Sequence, residues 1–296
     1  ERDDQDENRY RDQHEAIELA TKQSGAARRG RQQPSLASRG PKKSLGQHWL
    51  KDPEILAEIA AAAELAADDV VLEIGPGLGT LTSRLLARAS AVTAVEFDGD
   101  LARKLPGQFP GKNLTVVHED ILQFDLNQLP PGYKVVANVP YYITSKIVEK
   151  LMTAEHKPSL AVLLVQKEVS QRIAAEPGEM SILAVSAQIF AEAELDIEVP
   201  RQFFPPPPKV DSQVVVLRTR AEPLVAPQDQ KDFFRIVKAG FSAKRKKLRS
   251  SLSGGLQLNK DAVERLLKNA AISPDARAEN LAIDDWQRLL KEWRSL

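Results

Sequence analysis

Residues Asn138-Val139-Pro140-Tyr141 follow the apolar run Lys134-Val135-Val136-Ala137 and end it with an amide, a rigid turn and an aromatic ring. Upstream, the strand-like Val70-Val71-Leu72 runs into a glycine-rich turn, Glu73-Ile74-Gly75-Pro76-Gly77-Leu78-Gly79. Such a turn lets backbone approach a nucleoside-bearing ligand closely, with the amides of the next helix pointing at it. The tetrapeptide supplies an amide oxygen that can accept from an amine and a proline that fixes the turn. It also supplies a ring on which a planar base stacks with about 1–3 kcal/mol. Together the two segments suit methyl transfer to an exocyclic amine. The lone pair of such an amine is delocalised into its ring. Acceptors aimed at the two amine hydrogens favour a more tetrahedral nitrogen and turn the lone pair towards a methyl sulfonium. The side-chain oxygen of Asn138 and the carbonyl of Val139 are the candidate acceptors, with Pro140 shaping the turn and Tyr141 under the base. The amine sheds its proton readily once methylated, so catalysis rests on alignment and electrostatics rather than on a strong base.

The glycine spacing is Gly75-x-Gly77-x-Gly79 with a proline inside it. That departs from the dinucleotide pattern G-x-G-x-x-G and matches better the first motif of S-adenosylmethionine-dependent methyltransferases. Glu96 closes the second strand-like run, where a carboxylate can take both ribose hydroxyls. Asp120 follows the third run and is placed to accept from an adenine amine, with Ile121 beside the ring. Any one of these carboxylates reads equally well as a helix cap or a surface charge. Their recurrence at the carboxyl ends of successive strands points to a ligand.

The elements that must hold these groups are legible as an alternation. Strand-like runs at 70–74, 92–96, 114–118, 135–138 and 160–165 are separated by helical patterns at 78–89, 98–105 and 144–151. This predicts a parallel sheet covered on both faces. Asp52-Pro53 opens an earlier helix with an N-cap and a proline at its first position. Residues 180–194 read as a helix. Strand candidates at 195–199 and 212–219, split by Phe203-Phe204-Pro205-Pro206-Pro207-Pro208, predict an antiparallel hairpin edge. The remainder predicts helices at 228–241, 243–252, 260–269 and 283–296, interrupted by Gly254-Gly255 and Ser273-Pro274. The expected organisation is an arm over 1–40 with a short helix near 13–23, a Rossmann-like α/β domain over 41–222 and a small all-helical domain over 223–296. The sheet is expected to have seven mostly parallel strands with an antiparallel edge.

Composition narrows the function classes. The 296 residues include no cysteine, which excludes disulfides, cysteine-ligated zinc and thiol catalysis. The four histidines show no metal-ligand spacing. No apolar run reaches membrane-spanning length, and the first residues are too charged for a secretory signal. A soluble, cytoplasmic, metal-independent monomer is expected. The formal net charge of zero conceals segregation. Residues 1–24 hold eight acidic and four basic side chains, whereas 25–51 hold seven basic and no acidic ones. A second block, 235–249, again holds seven basic and no acidic residues. Each block alone reads as a solvated tail or helix face. Two of them flanking a nucleoside-type site point to a phosphate backbone as partner.

With these residues in place, the chain resembles the ribosomal RNA adenine dimethyltransferases, and within them the small-subunit dimethyladenosine transferase family. The matching segments are Ser44-Leu45-Gly46-Gln47-His48-Trp49-Leu50, the glycine turn continued through Thr80-Leu81-Thr82, and Asn138-Val139-Pro140-Tyr141. Further matches are Gln166-Lys167-Glu168-Val169, Pro205-Pro206-Pro207-Pro208-Lys209-Val210-Asp211-Ser212 and Phe241-Ser242-Ala243-Lys244-Arg245-Lys246-Lys247-Leu248. The resemblance implies that Gln47, His48 and Leu50 close over S-adenosyl-L-methionine, with Gly75, Gly77, Glu96, Asp120, Ile121 and Asn138 completing its site. It implies that Phe204 sandwiches the target adenine against Tyr141. It also implies two adjacent dimethyladenosines, in a hairpin near the 3′ end of small-subunit rRNA within a pre-ribosomal particle, as the product. Lys244, Arg245, Lys246, Lys247 and Arg249 are the expected backbone contacts on a basic helix. Val139 stands where the family more often has leucine, and residues 1–40 exceed its usual short N-terminus. Two alternatives stay open: a large-subunit methylase that confers antibiotic resistance, and a non-catalytic ribosome-assembly or transcription factor on the same fold.

Overall fold

A computed structural model describes residues 47–243 and 245–295. The expected arm, its short helix, Ser44-Leu45-Gly46 and Lys244 lie outside the described residues. Seven strands form one sheet: β1 (Val70–Ile74), β2 (Ala91–Glu96), β3 (Leu114–His118), β4 (Lys134–Asn138), β5 (Leu160–Gln166), β6 (Ala191–Val199) and β7 (Ser212–Thr219). Their order is β3-β2-β1-β4-β5-β7-β6. The first five pair in parallel, and β7 runs antiparallel to both β5 and β6. The expected hairpin is therefore present, with its later strand inserted next to the parallel set.

Register brings distant sequence together. Ile74 at the end of β1 pairs with Val95 on one side and Ala137 on the other. Gly75, Glu96 and Asn138 consequently leave the sheet along one edge, the carboxyl edge where ligands bind in such sheets.

Successive residues on the central strands point to opposite faces, so nearly every position of β5 is apolar and buried. On one face Val71, Val136, Val162, Val214 and Val216 pack with α1 (Pro53–Ala62) and α2 (Thr80–Leu85). On the other, Leu72, Val135, Leu163 and Val215 pack with α4 (Thr144–Thr153) and α6 (Ile182–Gln188). That second layer continues without a break into α7 (Pro227–Phe241), α8 (Leu248–Leu256), α9 (Lys260–Asn269) and α10 (Ile283–Arg294). The remaining helices are α3 (Gly99–Lys104) and α5 (Lys167–Ile173). Local signals set the helix starts: the Asp52 carboxylate accepts from the amides of Glu54 and Ile55, at 3.0 and 3.1 Å.

Three expectations are corrected. The helix expected at 180–194 ends at Gln188, and β6 begins at Ala191 rather than at 195. Ala-Glu-Ala-Glu is helix-forming locally, but pairing of Ala191–Leu195 with β7 overrides that preference. The helix expected at 243–252 starts instead at Leu248. The basic segment before it is a turn, closed by the Leu248 amide donating to the Ala276 carbonyl at 2.7 Å. Gly254-Gly255, expected as a break, lies inside α8. A Cβ on Gly255 would stand 2.6 Å from the Ala239 Cβ, so close approach of α7 and α8 requires the glycine there.

Candidate active site

Asn138 ends β4, and its side-chain nitrogen donates to the His48 carbonyl at 3.1 Å. A carbonyl can only accept, so the nitrogen must face it, and Oδ1 is left free to accept from a ligand. The Val139 amide donates to Leu164 at 3.1 Å, which anchors the turn to β5. Pro140's carbonyl accepts from the Ile143 amide at 3.2 Å, and Tyr141's from the Thr144 hydroxyl at 3.2 Å. No described group donates to the Val139 carbonyl. Among the described residues no hydrogen bond ends on Asn138 Oδ1 or on the Val139 carbonyl, the two candidate acceptors. The Tyr141 hydroxyl shares a 2.6 Å hydrogen bond with the Ser212 hydroxyl, and burial holds its pKa above the ordinary tyrosine value.

The segment from Gln47 to Leu50 crosses above these groups. His48 stacks on Tyr141 with ring centroids 5.8 Å apart and an interplanar angle of 19°. Its Nδ1–H donates to the Pro206 carbonyl at 2.9 Å, tying the segment to the proline-rich loop. Gln47 donates to Asp98 at 3.4 Å, and the Leu50 carbonyl accepts from the Thr80 hydroxyl at 2.9 Å. Together with the glycine turn, Glu96 and the 138–141 turn, residues 47–49 enclose a cavity of about 70 Å³. Small-molecule sites usually measure about 300–1,000 Å³. The segment is folded down on the site in this state.

Gly75 and Gly77 adopt φ of +66° and +57°, in the left-handed region where a side chain adds strain. The Glu96 carboxylate accepts from the Gly77 amide at 3.0 Å and from the Asp98 amide at 2.8 Å. Burial raises its pKa, opposed by these two amides. Glu73, 1% exposed on β1, is pushed up to about 8 by burial, so its carboxyl is protonated at neutral pH. A backbone cradle, a carboxylate at the end of β2 and free acceptors at the end of β4 fit a nucleoside-type cofactor.

Other expected residues are placed less centrally. Asp120 follows β3 and caps the chain there, accepting from the Leu122 amide at 2.9 Å, while Ile121 is buried beside it. Leu50 belongs to the core layer with α1. Phe204 corrects the implied sandwich. Only 1% exposed, it packs in that same layer and does not line the cavity, and the ring over Tyr141 is that of His48. The cause is local: the short turn Arg201–Phe203 delivers Phe204 into the core layer that also holds Val199 and Val214. Arg245 and Lys246 are exposed in the turn before α8. Lys247 pairs with Asp275 at 2.9 Å, and Arg249 pairs with Glu264 at 3.1 Å.

Two site residues escaped the reading of the sequence. Trp49 lines the cavity above Gly77, and Ser212 holds the Tyr141 hydroxyl. Both lie inside quoted motifs, but nothing in spacing alone marks either as a contact. Among the described residues no helix is long and apolar enough to cross a membrane. Nor does any group of three or more His, Cys, Asp or Glu among them suit a metal ion.

Comparison with known proteins places the chain in a family. Residues 39–294 match the family model described as ribosomal RNA adenine dimethylase. A ribosomal RNA small subunit methyltransferase A of Dehalococcoides mccartyi is 41% identical over 257 residues, covering 85% of this chain and 88% of that protein. The protein of that name from Clostridium botulinum is 39% identical, covering 83% and 92%. Among solved structures, a Plasmodium falciparum dimethyladenosine transferase aligns with a TM-score of 0.72 at 28% identity, covering 84% of this chain and 98% of that one. The 23S rRNA methyltransferase ErmE aligns with a TM-score of 0.69 at 33% identity, covering 82% and 98%.

Proposed function

This chain belongs to the ribosomal RNA adenine dimethylase family, and we propose that it dimethylates the exocyclic amines of two adjacent adenosines near the 3′ end of small-subunit rRNA. The observation that carries the reading is the turn after β4, where Asn138 Oδ1 and the Val139 carbonyl are unengaged beside the glycine cradle. S-adenosyl-L-methionine, bound there, supplies an electrophilic methyl group. Gly75 and Gly77 hold it by backbone, Glu96 takes the ribose hydroxyls, and Asp120 with Ile121 takes the adenine. Asn138 and Val139 accept the two amine hydrogens and orient the lone pair. After the first methyl, one hydrogen remains for two acceptors, so the second transfer proceeds with one hydrogen bond fewer.

The target adenine must be unstacked and delivered to Tyr141, as enzymes acting on a base require. His48 occupies that stacking position in this state, so substrate entry requires its ring to swing away from Tyr141. The same movement frees the Pro206 carbonyl and, with it, the proline loop that carries Phe204. Residues 223–296 act as the RNA-recognition unit, with Arg245 and Lys246 as the most exposed backbone contacts. The protein acts as a cytoplasmic monomer on a pre-ribosomal small subunit.

The likeness to a 23S rRNA methyltransferase keeps a large-subunit target as the second reading; the curated relatives named for the small subunit favour the first. Small and large subunits are incubated with labelled cofactor, and the modified nucleotides are mapped by mass spectrometry. Two adjacent dimethyladenosines in the 3′ small-subunit fragment are expected. Label confined to large-subunit rRNA overturns the assignment, and no transfer to either favours a non-catalytic assembly role.

A further inference from the structure

The Trp49 indole nitrogen is buried with no hydrogen-bond partner. An indole N–H can only donate, and leaving such a buried group unsatisfied is destabilising. The buried Glu73 carboxyl, hydrogen-bonded by Thr82, lies close by. Both residues line one cavity of about 40 Å³ under the glycine turn, shared with Gly75, Gly77 and Asn138. An indole N–H without a partner at this small cavity marks the place of an acceptor group on a ligand.

We propose that the Trp49 indole N–H binds the carboxylate at the amino-acid end of S-adenosyl-L-methionine. This rests on the cofactor reading above. Sheet order supplies the direction. Asp120 follows β3 and Glu96 ends β2, so on the cofactor reading these residues would hold the adenosine on that side. The amino-acid end would then reach across β1 towards β4, where Trp49 stands over Gly77 with its Nε1 3.8 Å from where a Cβ on Gly77 would lie. The ligand group must be an acceptor. The Lys51 ammonium lies 5.8 Å from the centroid of the same indole, which favours an anion. Burial keeps Glu73 protonated, so it does not repel a carboxylate. Trp49 is on this account a binding residue, not a catalytic one.

The test compares S-adenosylhomocysteine with 5′-deoxy-5′-methylthioadenosine, which has the same adenosine and a thioether but no amino-acid end. Binding of both to the full chain and to Trp49→Phe is measured by calorimetry. The variant is expected to raise the Kd of S-adenosylhomocysteine by about tenfold to a hundredfold, the range of a hydrogen bond to a charged group. The Kd of methylthioadenosine is expected to stay unchanged. Equal weakening of both overturns the proposal in favour of ring packing. No change in either overturns it in favour of a buried water bridging Trp49 and Glu73. Should the variant not fold, the wild-type chain with 15N-labelled tryptophan decides. One indole N–H signal must move on adding S-adenosylhomocysteine and stay on adding methylthioadenosine; identical responses refute it. A wild-type chain that binds neither analogue sinks the cofactor reading itself.

Discussion

On the proposed mechanism Asn138 has two roles on two atoms, and they can be separated by substitution. Its nitrogen holds the His48 carbonyl at 3.1 Å, while its oxygen is unengaged and faces the site. Asn138→Ala removes both. Losing a positioned hydrogen-bonding group from a transition state lowers kcat by about 10²–10³. Losing the donor leaves the half-buried His48 carbonyl unsatisfied, a further penalty of about 1–3 kcal/mol. That second penalty falls on the segment closing over the cofactor, so it appears as affinity rather than rate. Asn138→Asp keeps an oxygen at the Oδ1 position but sets its other oxygen against the His48 carbonyl, where two acceptors repel. The aspartate variant is therefore expected to lose cofactor affinity at least as severely as the alanine variant while losing less of the single-turnover rate. Mono- and dimethyladenosine formed on reconstituted small subunits are quantified by mass spectrometry, and affinity by calorimetry. Both transfers are expected to fall in Asn138→Ala, because on the proposed mechanism the same oxygen serves the amine twice. An alanine variant within about threefold of wild type in both transfers, under 1 kcal/mol of barrier, refutes the reasoning.

Glu73 makes stability depend on pH. In the folded chain burial raises its pKa to about 8, whereas in the unfolded chain it ionises near the ordinary 4.5. Between those values the folded state holds the extra proton, so this contribution is fully present at acid pH and lost as pH rises towards 8. Glu73→Gln should flatten that decline in chemical denaturation and be relatively stabilising at alkaline pH; an unchanged slope counts against a protonated Glu73. Gly79 has φ of +80°, and a Cβ there would lie 2.7 Å from Leu105 Cδ1 and 3.0 Å from Phe109 Cε2. Leu105 is fully buried and has no room to yield. Gly79→Ala should thus combine left-handed strain of about 1–2 kcal/mol with overpacking of about 1–3 kcal/mol. Gly77→Ala, whose nearest atoms are at 3.8 Å, should show the strain alone. Equal denaturation midpoints for the two would contradict this. Neutralising Arg245 and Lys246 should reduce the salt dependence of RNA binding by about one unit of slope for each phosphate left without its cation. Neutralising Lys247 and Arg249 should reduce it less, since carboxylates already pair with both. The reverse order would place the RNA elsewhere.

What the sequence determined by itself lies within short windows. Apolar runs define the central parallel strands β1, β4 and β5, because a strand buried on both faces must be apolar throughout. Asp52-Pro53 starts a helix through atoms two and three residues away. The glycine turn and the 138–141 tetrapeptide announce their chemistry because each packs its donors, acceptors and backbone freedom into a few residues. Tertiary structure decided everything that depends on register or on distant partners. Ile74 pairs with both Val95 and Ala137, and that alone brings Glu96 and Asn138 to one edge. His48 meets Asn138 across 90 residues and Pro206 across 158, neighbours that no local pattern encodes. Pairing with β7 turned the helix-forming start of β6 into strand. Packing of α7 against α8 placed Gly255 inside a helix. Burial drew Phe204 into the core and gave the face of Tyr141 to His48. Chemistry was local, and its assembly was not, since only the folded sheet sets which free groups share one cavity.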